Sequence, residues 1–237
     1  MQTAPHRSRP GLVSLIAILA MAAGHANAQD AVIEEIIVTA QKRAQSLTDV
    51  PIAVSAYTGE VLQESGVTDI KELTVLSPSL VVTSTQAESA GTTARIRGVG
   101  TTGDNLGLES SVAVFIDGVY RSRNNVALTE LGEVERIEVL RGPQGTLFGK
   151  NASAGLINIV TKAPDPEAFS LSTDLSAGNY GYWKLGGAVN APVAGERLAF
   201  RLDASVQERD GFIDDVANGV EYNDRDRWLV RAQLASE

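Results

Sequence analysis

Two histidines and no cysteine limit the chemistry open to this chain. Both histidines, His6 and His25, fall within the first 28 residues, which have the three-part layout of an export signal. Residues 1–10 carry Arg7 and Arg9 and no acid, and residues 12–23 are apolar apart from Ser14. Ala26-Asn27-Ala28 is then a small-x-small cleavage site before Gln29. The apolar run is short of the about 20 residues that a helical membrane span requires. Cleavage after Ala28 would leave 209 of the 237 residues, with neither His nor Cys. With Arg7 and Arg9 gone, the net charge becomes −11 in place of −9. A Ser-His-Asp triad, an imidazole or thiolate zinc site, an Fe–S cluster and a His-ligated haem are all excluded from such a chain. The acidic balance argues against a nucleic-acid partner. No catalytic residue, metal site or cofactor is assigned.

Three further constellations resemble reactive sites, and each has a plainer reading. Glu135 and Glu138 could be an acid/base pair, but residues three apart on a strand face opposite sides. Ion pairing with Arg136 and Arg141 suits them better. Gly98-Val99-Gly100-Thr101-Thr102-Gly103 spells a dinucleotide fingerprint with Asp117 at nearly the right distance. Residues 104–111 (DNLGLESS) have no apolar helical face, so no crossover helix follows and the glycines read as a flexible loop. Asn151-Ala152-Ser153 is a glycosylation sequon by letters only, in a Gly/Ala-rich turn. What remains is chemistry of binding.

The elements that would position such binding fall into three stretches. Residues 29–49 form a polar leader containing Glu34-Glu35-Ile36-Ile37-Val38-Thr39-Ala40. Three β-branched residues followed by Thr favour extended backbone. Such a segment can add a strand to the sheet edge of a partner, or it can be the ordinary first strand of the next domain. Residues 50–163 read as one α+β domain. Strands are expected at 51–56, 80–85, 94–97, 112–116, 136–141 and 156–161, with a tight turn at Asp117-Gly118. A short helix is expected at 59–66, and a second is capped by Thr68-Asp69, runs through Leu73 or Leu76 and ends at Ser77-Pro78.

From Phe169 the pattern changes to period two. Leu171, Leu175 and Ala177 alternate with Ser170, Ser172, Asp174 and Ser176. Trp183, Leu185, Val189 and Ala191 alternate with Lys184, Gly186, Ala188 and Asn190. Leu198, Phe200, Leu202 and Ala204 alternate with Arg201, Asp203 and Ser205. Trp228, Val230, Ala232 and Leu234 alternate with Leu229, Arg231 and Gln233. Each run is near the 9–11 residues of a tilted membrane strand, and Tyr180, Tyr182, Trp183 and Trp228 sit at run ends. The connections at 179–181 and 194–196 are short, whereas 208–226 is long and acidic. A soluble sandwich with one wet face also alternates. The export signal and the girdle-like aromatics favour a transmembrane barrel.

Taken in order, these pieces resemble the TonB-dependent outer-membrane receptors. Glu35-Ile36-Ile37-Val38-Thr39-Ala40 looks like a TonB box. Ile96-Arg97-Gly98, Val114-Phe115-Ile116-Asp117-Gly118-Val119 and Glu135-Arg136-Ile137-Glu138-Val139-Leu140-Arg141-Gly142-Pro143 look like plug-domain motifs. Gly145-Thr146-Leu147-Phe148-Gly149 and Ala154-Gly155-Leu156-Ile157-Asn158-Ile159-Val160-Thr161-Lys162 continue the signature.

The resemblance implies an organisation: signal peptide 1–28, periplasmic leader 29–49, α+β plug domain 50–163, and the first strands of an antiparallel transmembrane β-barrel over 164–237. It implies a plug inside a barrel of about 22 strands in the outer membrane. It also implies uptake of a scarce ligand such as a ferric siderophore, driven by TonB with ExbB and ExbD. The protein would be monomeric when complete, with outer-membrane lipid as its surroundings. By the same resemblance, Arg97 and Arg141 pair with carboxylates on the barrel wall, and ligand contacts come from plug loops containing Thr101, Asp104, Asn105, Tyr120, Arg121 and Arg123. The 74 residues from 164 onward suffice for about four strands. The expectation is therefore an N-terminal piece of such a receptor, the alternative being a stand-alone periplasmic plug-like module that binds TonB without transporting.

Overall fold

The architecture is taken from a computed structural model of the chain, which describes residues 35–39, 42–84, 92–101, 108–122, 130–193 and 197–236. The expected signal peptide lies outside the described residues, as do Ala40, Asp104, Asn105 and Arg123.

The centre of the α+β part is a five-stranded sheet. Its strands are β3 (Val54–Thr58), β6 (Val112–Ile116), β7 (Val119–Arg121), β8 (Val134–Arg141) and β9 (Gly155–Thr161), in the order β3-β8-β9-β6-β7. Only β6 and β9 run parallel. Both faces of the middle strands are covered, which is why Val112-Ala113-Val114-Phe115 is continuously apolar and buried rather than alternating. One face carries Val112, Val114, Ile137, Val139, Ile157 and Ile159 into the larger core. The other carries Ala113, Phe115, Leu140 and Leu156 into a smaller one. The helix α1 (Gly59–Glu64) packs Leu62 into the larger core, and Thr58 caps it by accepting from Val61 N–H. A hairpin of β4 (Leu80–Ser84) and β5 (Thr92–Ile96) adds Leu80, Val82, Ala94 and Ile96 to the same core. A short helix α2 (Gly145–Phe148) links β8 to β9.

Three local expectations are refined. The turn between β6 and β7 holds Asp117 at φ 50° and Gly118 at φ 77°, the left-handed pair that a two-residue hairpin needs. The strand expected from Arg136 begins at Val134, with a bulge at Glu135 where Val134 and Arg136 pair with the adjacent residues Thr161 and Val160. The second helix is a correction: only Glu72–Thr74 is helical, and as a 3-10 turn. Glu72 Oε2 folds back to accept from the Thr68 and Asp69 amides. Successive i to i+3 bonds then bring Ile70, Leu73 and Leu76 onto one side. Apolar residues spaced by three suit either winding, and the return of Glu72 onto the Thr68 and Asp69 amides accompanies the tighter one.

The last part is an antiparallel meander of β10 (Ser170–Ala177), β11 (Trp183–Pro192), β12 (Leu198–Arg209) and β15 (Arg225–Ser236). The connection from β12 to β15 contains its own hairpin, β13 (Ile213–Asp215) with β14 (Val220–Tyr222), which the sequence pattern left as loop. This sheet is inside out. Leu171, Leu175, Trp183, Leu185, Trp228, Val230 and Leu234 are exposed, whereas Lys184, Asn190, Arg201, Asp203 and Gln207 are buried. No helix among the described residues is long and apolar enough to cross a membrane. The exposed apolar face is the one that strands turn toward lipid.

Candidate functional site

Two places in the fold bring binding chemistry together. The first is the seat of the leader. Strand β1 (Ile37–Val38) pairs antiparallel with β2 (Gln45–Ser46), Ile37 opposite Ser46 and Val38 opposite Gln45. Leu47 N–H donates to Ile36 O at 2.9 Å. With that register, the main-chain N–H and C=O of Ile37 point away from β2. Among the described residues no strand occupies that outer edge. The side chains alternate to match: Ile37 is 42% exposed, while Val38 is fully buried in the smaller core with Leu140 and Leu156. Ile36 packs partly against the same core, and Glu35 is exposed. Thr39 reaches a buried polar group on the plug, donating to Glu138 Oε1 from its amide at 2.8 Å and its hydroxyl at 3.1 Å. Beyond it, Lys42 stands over the Phe148 ring at 5.4 Å.

The second place is the contact between the plug and the polar face of the strands. Segment 130–133 is gripped from three of them. Arg227 of β15 donates to Asp69 at 2.7 Å and to Glu130 at 3.2 Å, and Gln207 of β12 also donates to Glu130. Asp69 and Glu130 are held side by side by a single antiparallel bridge. Glu133 accepts from Arg201 of β12 and from Ser172 of β10. Arg231 of β15 donates to Leu131 O at 2.9 Å and Glu133 O at 3.3 Å, and Gln233 to Thr161 Oγ1 at 2.9 Å. Burial pushes the Glu130 carboxyl above its ordinary value, against the pull of Lys184 and Arg225. Lys71 is shifted downward by burial, with Asp69 opposing and Arg227 and Arg225 adding to the shift. Charge-assisted bonds in a polar seam hold the two layers in one register without a continuous apolar contact.

The remaining expected residues are placed as follows. Arg97 is exposed in a tight turn at φ 53°, followed by Gly98 at φ 78°, and Ile96 and Val99 close that turn by mutual backbone bonds. Gly98, Gly100 and Thr101 thus lead into no helix over the described residues. Arg141 ends β8, half-buried, with its amide on Ala53 O and its Nε without a hydrogen-bond partner among the described residues. Neither Arg97 nor Arg141 forms an ion pair among the described residues. Thr101 ties its own loop, donating to Glu109 O at 3.0 Å and accepting from the Ser111 amide at 2.8 Å. Tyr120 lies against Phe115 and accepts from Asn151 at 2.6 Å, and Arg121 is half-buried on β7. Glu135 and Glu138 both bond Arg136. The strand arginines Arg201, Arg227 and Arg231, and the acids Asp69, Glu130 and Glu133 that face two of them, were not singled out from sequence. Their available signal was position: each arginine stands on the polar side of an alternating run.

An α+β domain held by the polar face of four antiparallel strands whose outer face is apolar is the arrangement of a plug seated against transmembrane β-strands, in a sheet that does not close on itself among the described residues. The family model described as TonB-dependent Receptor Plug Domain matches residues 46–156. The pesticin receptor of Yersinia pestis is 35% identical over 147 residues, covering 59% of this chain and 21% of that protein. The iron-regulated outer membrane virulence protein of Vibrio cholerae is 30% identical over 185 residues, covering 72% of this chain and 26% of that protein. Among solved structures, the ferric yersiniabactin uptake receptor FyuA from Yersinia pestis matches 77% of this chain and 28% of its own, at 24% identity and a TM-score of 0.66. The closed form of the ferric-catecholate import receptor Fiu from E. coli matches 81% of this chain and 25% of its own, at 20% identity and a TM-score of 0.63. Residues 46–156 carry the plug domain of the TonB-dependent receptors, and the chain is similar over more of its length to outer-membrane receptors of that family. It spans between about an eighth and a quarter of the length of the curated relatives it matches.

Proposed function

We propose that this chain supplies the plug and first barrel strands of an outer-membrane receptor that takes up a scarce iron complex, such as a ferric siderophore, with energy delivered through TonB. Relatives named as receptors for pesticin, for metal-pseudopaline and for catecholate siderophores support that ligand class. Residues 1–28 are the export signal, 29–49 the periplasmic leader, 50–163 the plug and 164–237 barrel strands. TonB, driven by ExbB and ExbD, adds a strand to the leader and pulls on the plug. Arg97 and Arg141 pair with carboxylates of further barrel strands. The loops around Thr101, Asp104, Asn105, Tyr120, Arg121 and Arg123 face the ligand.

The observation that carries the reading is the open edge of β1, where the Ile37 amide and carbonyl are presented beside an exposed side chain. Main-chain hydrogen bonds on such an edge supply affinity with little demand on sequence. Ile37→Pro removes the donor and fixes φ. Site-specific crosslinking to TonB should then be lost, with Ile37→Val retaining it. Crosslinking of Ile37→Pro at the unsubstituted level would refute the assignment.

A further inference from the structure

Beneath the leader lies a buried polar cluster that neither the pairing of β1 with β2 nor the grip on residues 130–133 requires. Glu138 stands in the middle of β8, opposite Ala56 on one side and Asn158 on the other. It is fully buried and shares a face with Leu140 and the smaller core. A carboxylate in that position is costly unless it is paired and hydrogen-bonded. Its Oε2 accepts from Asn158 Nδ2 at 3.2 Å. Its Oε1 accepts from Arg136 Nε at 2.9 Å, from the Thr39 amide at 2.8 Å and from the Thr39 hydroxyl at 3.1 Å. Two of the three donors to that oxygen therefore come from the leader. The Thr39 hydroxyl oxygen accepts in turn from Asn158 Nδ2 at 3.2 Å and Arg136 Nη2 at 3.4 Å.

We infer that Arg136, Glu138 and Asn158 form a receiving site for the leader, in which Glu138 is a latch and Thr39 its ligand. The network closes only with Thr39 in place. When the leader departs, Glu138 keeps Arg136 and Asn158 but loses both Thr39 donors. That asymmetry holds Val38 in the smaller core and leaves Ile37 outward. The latch sets how often residues 36–39 are free. Its existence does not depend on TonB, whereas its role as a gate on TonB access rests on the function proposed for the chain.

The absence of native cysteine makes the test direct. The full chain carrying Val38→Cys is treated with a maleimide in isolated outer membranes without TonB. Adding Thr39→Val, which keeps shape and removes the hydroxyl, should raise the labelling rate about tenfold, as expected for losing a hydrogen bond to a buried charge. Thr39→Ser restores the hydroxyl and should label within about twofold of the parent, and Glu138→Gln should label faster than the parent. Equal rates for Thr39→Val and Thr39→Ser would overturn the latch. Because Thr39 lies in the leader outside the sheet, that comparison stands even where Glu138→Gln fails to accumulate. Loss of TonB crosslinking with unchanged labelling would bear on strand addition alone.

Discussion

The guanidinium of Arg227 donates to the carboxylate of Asp69 at 2.7 Å, joining a barrel-type strand to a plug turn 158 positions earlier in the chain. Asp69 is 1% exposed, and the Arg227 side chain covers it from the strand side while keeping some contact with solvent. Together with Arg201 on Glu133, it places cations on the strands and anions on the plug, the opposite polarity to that expected for Arg97 and Arg141. Both polarities can coexist, since they concern different residues on the two partners.

Arg227→Met should be among the most damaging substitutions in the seam. It leaves Asp69 and Glu130 adjacent and buried without that guanidinium, and breaking such a pair costs about 3–5 kcal/mol. Urea unfolding of the full chain measures this, and Asp69→Asn combined with Arg227→Met should recover part of the loss. A cost below about 1 kcal/mol would mark the contact as surface-like.

Stability should depend on pH through Glu130. Burial raises its carboxyl pKa above 4.5, with Asp69 and Glu72 adding to the shift and Lys184 and Arg225 opposing it. The folded chain therefore holds this proton more tightly than the unfolded chain does. The contribution of Glu130 is full below about 4.5 and is lost as pH rises through the folded value. Glu130→Gln keeps an acceptor for Gln207 and Arg227 and should flatten the urea midpoint against pH above about 4.5. An unchanged profile would contradict the assignment.

Gly155→Ala should disrupt the plug. Gly155 has φ +147°, and a Cβ there would lie 2.3 Å from Leu140 O and 2.8 Å from Ile96 Cδ1. The clash with backbone at the start of β9 should cost at least about 2 kcal/mol. Gly145→Ala, where a Cβ meets nothing within 4 Å, is the matched control and should leave the thermal midpoint nearly unchanged.

Val230→Arg tests the outward face of the strands. Val230 is exposed near the middle of β15, and an arginine facing lipid there costs about 2–4 kcal/mol. The fraction of chain resisting alkaline extraction from outer membranes should fall. Asp226→Arg, at the start of the same strand, should extract like the parent. Equal extraction of both variants would favour a water-facing sheet.

Much of the fold is legible in local pattern. The run Val112-Ala113-Val114-Phe115-Ile116 and the Asp117-Gly118 turn define β6 and the turn after it at their observed positions, while the return strand β7 was not expected. The period-two stretches define four strands because successive side chains must fall on opposite faces. The leader is recognisable as extended from Ile36, Ile37 and Val38 alone. The 3-10 turn at 72–74 was less legible, since Ile70, Leu73 and Leu76 suit either winding until the return of Glu72 onto Thr68 and Asp69 is known. The local pairing of Glu135 and Glu138 with Arg136 was legible, whereas which groups meet between distant elements was not. Arg227 with Asp69, Arg201 with Glu133 and Thr39 with Glu138 join residues 158, 68 and 99 positions apart. Element type follows from neighbours in sequence, through sterics and the alternation of faces. Partner choice follows from how the sheets stack, where a buried charge is tolerated only beside the group that satisfies it. The sequence by itself thus determined the longer strands, the turn after β6 and the lipid-like face, and the tertiary structure alone decided the short strands, the polar seam and the seat of the leader.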